Sequence, residues 1–205
     1  ILSDADATKD GITAAFEKIK AVAKPQDLFV FYYAGHGTTN DKNEFFLVPY
    51  DVTQLYGNDN ALAQKGFSAN GLQQMSKDIK AQKQLFILDA CHSAAALEVV
   101  AGSRGAAEEK AIAQLARSTG TYWLTASSSD QVASEFSQLG HGSFTWCLLQ
   151  AFNGDTNPSE KKLTVKMLDA YLQTKVPEVT QKYKGTVQYP VSYSYGNDFP
   201  IIMVK

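Results

Sequence analysis

Gln84-Leu85-Phe86-Ile87-Leu88-Asp89-Ala90-Cys91-His92-Ser93-Ala94 joins a four-residue apolar run to a burst of polar and small residues. An apolar run of that length without helical period predicts a buried strand. The polar burst falls where α/β proteins place their chemistry, in the loop beyond a strand's carboxyl end. Asp27–Asn40 is built the same way, with Leu28–Tyr33 running into Ala34-Gly35-His36-Gly37. His36 lies three residues beyond Tyr33, and Cys91 three residues beyond Leu88. If the two strands are parallel neighbours, that equal overshoot brings an imidazole and a thiol out at one edge. A Cys/His nucleophile–base pair requires that geometry.

Working outward, the remaining pattern alternates helix and strand. Thr8 or Asp10 is placed to cap a helix whose apolar residues Ile12, Phe16, Ile19 and Val22 fall three and four apart, and Pro25 closes it. Leu28–Tyr33 is apolar or aromatic throughout, as a strand covered on both faces should be. Glu44–Pro49 reads as a short extended piece and residues 52–67 as a long surface loop. Ser68 is placed to cap a helix with Leu72, Met75 and Ile79 on one face. Ala94–Val100 and Ala106–Arg117 read as helices on either side of a Gly102–Gly105 break, and Thr121–Ala126 as a further strand. Ser143–Phe152 reads as an apolar helix stopped by Asn153-Gly154, and Leu163–Val176 as another. The C-terminal part, with Pro190 and Pro200, is expected to add loop and an edge strand. Such alternation predicts a layered α/β fold.

The 205 residues suit one domain with a sizeable core. A formal charge of −2 argues against a general nucleic-acid or anionic-membrane binder, and no apolar run approaches bilayer length. Two cysteines, Cys91 and Cys147, make neither a disulfide framework nor a zinc quartet, so a reducing, cytoplasmic location and no metal are expected. The chain begins at Ile1 without a Met, and an upstream segment is expected to have been removed.

Three histidines compete for the role of base. His141 also sits in a Gly-His-Gly string, but it precedes a helix and reads as a helix-entry residue. His92 adjoins Cys91, and neighbouring side chains in an extended segment point to opposite faces, so it reads as structural. His36, flanked by glycines after a buried strand, is the candidate. Cys147 lies with Phe144, Leu148 and Phe152 in an apolar helix and reads as an inert packing thiol. Cys91 occupies a polar loop among small residues, where a nearby imidazole can raise its thiolate fraction. Gly35 and Gly37 form a turn without Cβ obstruction, and the amides of Gly37 and Cys91 are candidate oxyanion donors.

These paired motifs, YYAGHG at 32–37 and DACHSA at 89–94, resemble the caspase-like cysteine peptidases, closest to the metacaspase and bacterial orthocaspase type. The 55-residue His36–Cys91 separation is near the spacing of about 50 found in caspases. FFLVPYD at 45–51, TASSSDQVASE at 125–135, GHGSFTWCLLQAFNG at 140–154 and GNDFPI at 196–201 extend the resemblance over nearly the whole chain. It implies a three-layer α/β/α fold with a mostly parallel central sheet, in one peptidase domain over 1–205. Residues 1–105 would form the larger, His/Cys-bearing part and 106–205 the smaller. It implies a Cys-nucleophile endopeptidase with His36 and Cys91 as the dyad, acting on protein or peptide substrates without nucleic acid or membrane. The family's first strand and helix would lie upstream of Ile1, so an upstream fragment of the same protein is an expected partner completing the fold. The family motif DACHSG has Ala94 in place of its glycine here. The aspartate pair that binds calcium in some metacaspases would fall at Ser68-Ala69, so no calcium is expected.

Asp89 carries an expectation about substrate charge. It stands two residues before Cys91, so in an extended segment both side chains face the same way. A carboxylate there disfavours the thiolate unless a cation sits beside it. Asp89 is therefore expected to line a pocket for a P1 Arg or Lys, as its metacaspase counterpart does; alternatively it only accepts backbone amides in the turn. Ser127, Ser128 and Asp130, with Glu135, resemble the segment lining the family's substrate cleft, or form a plain polar loop. With basic specificity, Arg104 and Lys110 become candidate self-processing sites. Competing readings are a legumain- or gingipain-like peptidase, a non-catalytic caspase-like scaffold, and a nucleotide-binding α/β protein. The last lacks both G-x-G-x-x-G and G-x-x-x-x-G-K-[ST].

Overall fold

A computed structural model of the chain describes residues 1–40, 44–52, 59–90, 120–126, 135–136, 141–156 and 162–203. Strands β1 (Leu28–Ala34), β5 (Lys83–Asp89), β6 (Gly120–Thr125) and β10 (Val191–Tyr195) form the central sheet in the order β1-β5-β6-β10. The first three are parallel, and β10 closes the edge antiparallel to β6. The sheet is mixed, mostly parallel and flanked by helices on both faces, the layered α/β fold that the alternation predicts in the three-layer α/β/α form that the resemblance implies.

On one face lie α1 (Lys9–Val22) and α3 (Ala69–Asp78), and their capping follows the sequence. The Thr8 hydroxyl accepts from the Gly11 amide at 3.1 Å, and the Ser68 hydroxyl from the Gly71 amide at 3.1 Å. Ile12, Phe16, Leu72, Phe29, Phe86, Leu88 and Trp123 share this core. Phe86 and Trp123 stack at 4.2 Å between centroids, with planes 8° apart. Trp123→Ala should cost about 3–5 kcal/mol of folding free energy, because the surrounding layers close only partly over so large a void. Denaturant unfolding would measure it.

The other face carries α4 (Ser143–Gln150), a one-turn π segment (Ala151–Asp155) and α5 (Val165–Lys184). They cover Leu85, Ile87, Tyr122 and Leu124 with Phe144, Leu148, Leu168, Leu172 and Val176. Smaller pieces ring the sheet: the three-stranded β2 (His36–Thr39), β3 (Phe45–Val48) and β4 (Phe67–Ser68), and the pairs β7 (Glu135–Phe136) with β8 (His141–Gly142) and β9 (Lys162–Thr164) with β11 (Pro200–Met203). Among the described residues, no helix is long and apolar enough to cross a membrane.

Several expectations need correction. β1 is covered on one face only: Phe29 is buried, but Val30 and Tyr32 are 45 % and 44 % exposed, because β1 is the edge of the sheet. The α1 stripe is buried only at Ile12 and Phe16; Ile19 and Val22 run past the core and are exposed. The loop expected over 52–67 contains α2 (Asp59–Lys65), whose Leu62 packs with Phe46, Val48 and Val52. Leu163 belongs to β9, and α5 starts only after Thr164 and runs on through Pro177 to Lys184, ending at Gly185 with φ 70°. The helices expected at 94–100 and 106–117 lie outside the described residues.

Candidate active site

The site is built from the carboxyl ends of three neighbouring parallel strands. The β1–β5 register pairs Tyr33 with Leu88 and Ala34 with Asp89. One step beyond, the Gly35 amide donates to the Asp89 carbonyl at 3.1 Å. On the far side of β5, the Ala126 amide donates to the Leu88 carbonyl at 2.9 Å. The chain therefore leaves toward His36, Cys91 and Ser127 from one edge of the sheet. Cys91, His92, Arg104, Lys110, Ser127, Ser128 and Asp130 themselves lie outside the described residues.

His36 is exposed, and it is not in a loop: it opens β2, paired with Val48 of β3. Gly37 is likewise a strand residue, opposite Leu47. Neither Gly35 nor Gly37 has a positive φ. What demands glycine at 35 is proximity, since a Cβ there would lie 2.8 Å from the Tyr33 hydroxyl oxygen. That hydroxyl shares its one proton between the carbonyls of His36, at 2.8 Å, and Val48, at 3.0 Å. The tyrosine folds back under its own turn and fixes the main chain at His36 to β3.

Asp89 ends β5 with its side chain against the start of α4. The α4 N-cap is Gly142, which has no side chain to offer the first amides. Asp89 supplies the cap from another element: its Oδ2 accepts from the Thr145 amide at 3.2 Å and from Thr145 Oγ1 at 2.5 Å. Thr145 Oγ1 also lies 2.7 Å from the Tyr32 hydroxyl. The partial positive charge at the α4 N-terminus favours the ionised carboxylate. Asp89 thus has compensation without any substrate, so its charge alone does not demand a bound cation; the Thr145 amide it accepts from belongs to α4 rather than to its own turn. A Cβ on Gly142 would come within 2.9 Å of Asp89 Oδ2, which explains the glycine in the second Gly-His-Gly string. His141 stands in the two-residue β8 at the entry to α4. Glu135 stands opposite Gly142 in β7.

A buried polar node braces the neighbouring strand end. Gln188, 3 % exposed, donates to the Ala126 carbonyl at 2.5 Å, accepts from the Ser143 hydroxyl at 3.0 Å, and through its main-chain amide bonds the Thr180 hydroxyl at 2.9 Å. It ties β6, α4 and α5 together just before the Ser127 segment. Sequence reading missed Gln188, Ser143, Thr145 and Tyr32. Thr145 was visible as a hydroxyl breaking an apolar helix, whereas nothing local marks Gln188.

Cys147 is fully buried in α4, as its apolar neighbours predict, and burial pushes its thiol up to about 12. Burial likewise pushes the Tyr33 phenol up to about 12, against the opposing bond to Val48. Both groups are neutral when protonated, so the unfolded chain loses these protons first as pH rises. Their contribution is complete below the ordinary thiol range and lost as pH climbs through about 12. Denaturant midpoints should therefore fall steadily from pH 9 to 12. Among the described residues, no group of three or more His, Cys, Asp or Glu could hold a metal ion.

Comparisons with known proteins agree with this architecture. The family model described as the caspase domain matches residues 2–197. A crystal structure of a protein from Geobacter sulfurreducens superposes with a TM-score of 0.62 at 17 % identity, covering 100 % of this chain and 79 % of that one, which shows a shared fold. A search of curated proteins found no match.

Proposed function

This chain belongs to the caspase-domain family of cysteine peptidase folds, and from that premise we propose that it is a cysteine endopeptidase of the metacaspase type with Cys91 as nucleophile and His36 as base. The observation that carries the reading is the strand register. Ala34 pairs with Asp89, and Gly35 bonds the Asp89 carbonyl, so His36 and Cys91 each stand two residues beyond a matched pair. In the first step His36 takes the Cys91 proton as Sγ attacks the scissile carbonyl carbon. The oxyanion that forms would be met by the amides of Gly37 and Cys91. The His36 imidazolium then protonates the leaving amine, and a water deprotonated by His36 hydrolyses the thioester.

The substrate side rests on Asp89, which supplies a fixed negative charge at the same strand end, for a P1 Arg or Lys, with Ser127, Ser128 and Asp130 as further cleft residues. Under that specificity, Arg104 or Lys110 is a self-processing site. Incubation with and without Cys91→Ala, followed by sizing of the products, tests this: fragments ending at either residue should form only with the thiol present. The second reading, Asp89 as a cap for α4 and nothing more, is favoured by its bonds to Thr145. P1 profiling on a peptide library with the Cys91→Ala control separates the two. Cleavage after Arg and Lys that vanishes in the control supports the peptidase, and faster cleavage after Asp removes the basic pocket. An upstream strand laid along β1 is part of the same proposal. It is supported by β1 standing at the sheet edge with Val30 and Tyr32 exposed, and by the hazard that a long apolar edge presents.

A further inference from the structure

The contacts of Asp89 define a three-residue chain that runs from the site to the outer face of the sheet. An ionised carboxylate only accepts hydrogen bonds, and a threonine hydroxyl has one proton to give. The Thr145 proton therefore goes to Asp89 Oδ2, and the 2.7 Å contact with Tyr32 is a bond in which the tyrosine donates. Oδ2 receives two donors from Thr145, the amide and the hydroxyl, which fills its two lone pairs. Tyr32 is on β1, Asp89 on β5 and Thr145 on α4, so one polar thread joins two adjacent strands to the helix over them. Gly142 closes the fourth side, leaving 2.9 Å where a Cβ would stand. The Tyr32 phenol is raised above its ordinary range, chiefly by burial, with the Asp89 charge adding to it and the Thr145 bond opposing. It stays protonated, and hence a donor, throughout the neutral range.

We propose that Thr145 and Tyr32 are specificity-positioning residues that hold the Asp89 carboxylate in one orientation toward the cationic P1 side chain. This rests on the reading of Asp89 as the P1 carboxylate. A carboxylate oriented by two donors at Oδ2 meets the substrate at a fixed angle and loses little freedom on binding. Without the Thr145 hydroxyl it keeps the amide bond but loses one of the two donors that orient Oδ2, so more of the electrostatic gain on binding a cation is offset by the cost of fixing it.

Thr145→Val removes the hydroxyl at nearly constant volume and leaves the main-chain amide to cap α4. KM for an Arg-P1 peptide should rise about 10-fold with kcat within about 3-fold, and Thr145→Ser should restore it. Tyr32→Phe, which takes one oxygen from a partly exposed ring, should raise KM about 2- to 5-fold and serves if the valine variant does not fold. Unchanged KM in Tyr32→Phe and in folded Thr145→Val, beside a wild type that cleaves after Arg, would overturn the positioning role alone. A wild type that cleaves peptides but not after Arg or Lys would overturn the reading of Asp89 and this proposal with it. A serine variant that folds but leaves KM as high as valine does would also count against it, since the hydroxyl would not be the cause.

Discussion

Replacing Cys91 or His36 by alanine is expected to lower peptide hydrolysis by on the order of 10⁴-fold or more, and the double variant should be little worse than either single one. The non-additivity is the informative part. A nucleophile and its base act as one unit, so once either is gone the other has nothing left to contribute. Cys147 is the built-in control, since its thiol is buried in α4 and pushed up to about 12, and Cys147→Ala should leave turnover intact while reducing stability. Progress curves on an Arg-P1 peptide, with circular dichroism to confirm folding, would check all four variants.

The second large effect belongs to Asp89→Asn. The asparagine carbonyl can still accept from the Thr145 amide, so α4 keeps its cap and the fold should lose only about 1 kcal/mol. Charge is what disappears. Loss of a carboxylate partner for a bound cation is worth about 2–5 kcal/mol, so kcat/KM after Arg should fall on the order of 10²-fold. The thiol should move the other way. With a like charge removed from two residues before it, Cys91 ionises more readily, and alkylation by neutral iodoacetamide at pH 7 should speed up. Slower cleavage with faster alkylation separates a substrate pocket from a capping residue. If Asp89 serves only the helix, asparagine leaves Arg cleavage unchanged.

Much of this organisation is legible in the sequence. Both apolar runs ending in polar bursts are strands, and the structure pairs them in the parallel, matched register that their equal overshoot requires; Leu85–Leu88 is covered on both faces, as its unbroken apolar run predicts. The caps at Thr8 and Ser68 were equally readable, being local chemistry between a hydroxyl and an amide three residues on. What escaped was decided by tertiary position. Leu28–Tyr33 looks as buried as Leu85–Leu88, yet lies at the edge, and nothing in its own composition says so. Asp89 looked like a pocket or turn residue and also caps a helix 56 residues away. Gln188 gathers Ala126, Ser143 and Thr180 from three elements, and such a node has no periodic signature.

The measurement that tests the central claim most directly is mass mapping after treatment with an Arg chloromethylketone, on the folded wild type and on His36→Ala. The dyad predicts stoichiometric modification of Cys91, none at Cys147, and loss of the Cys91 adduct in the His36 variant. Folded wild type left unmodified at Cys91, or modified equally well without His36, would contradict it.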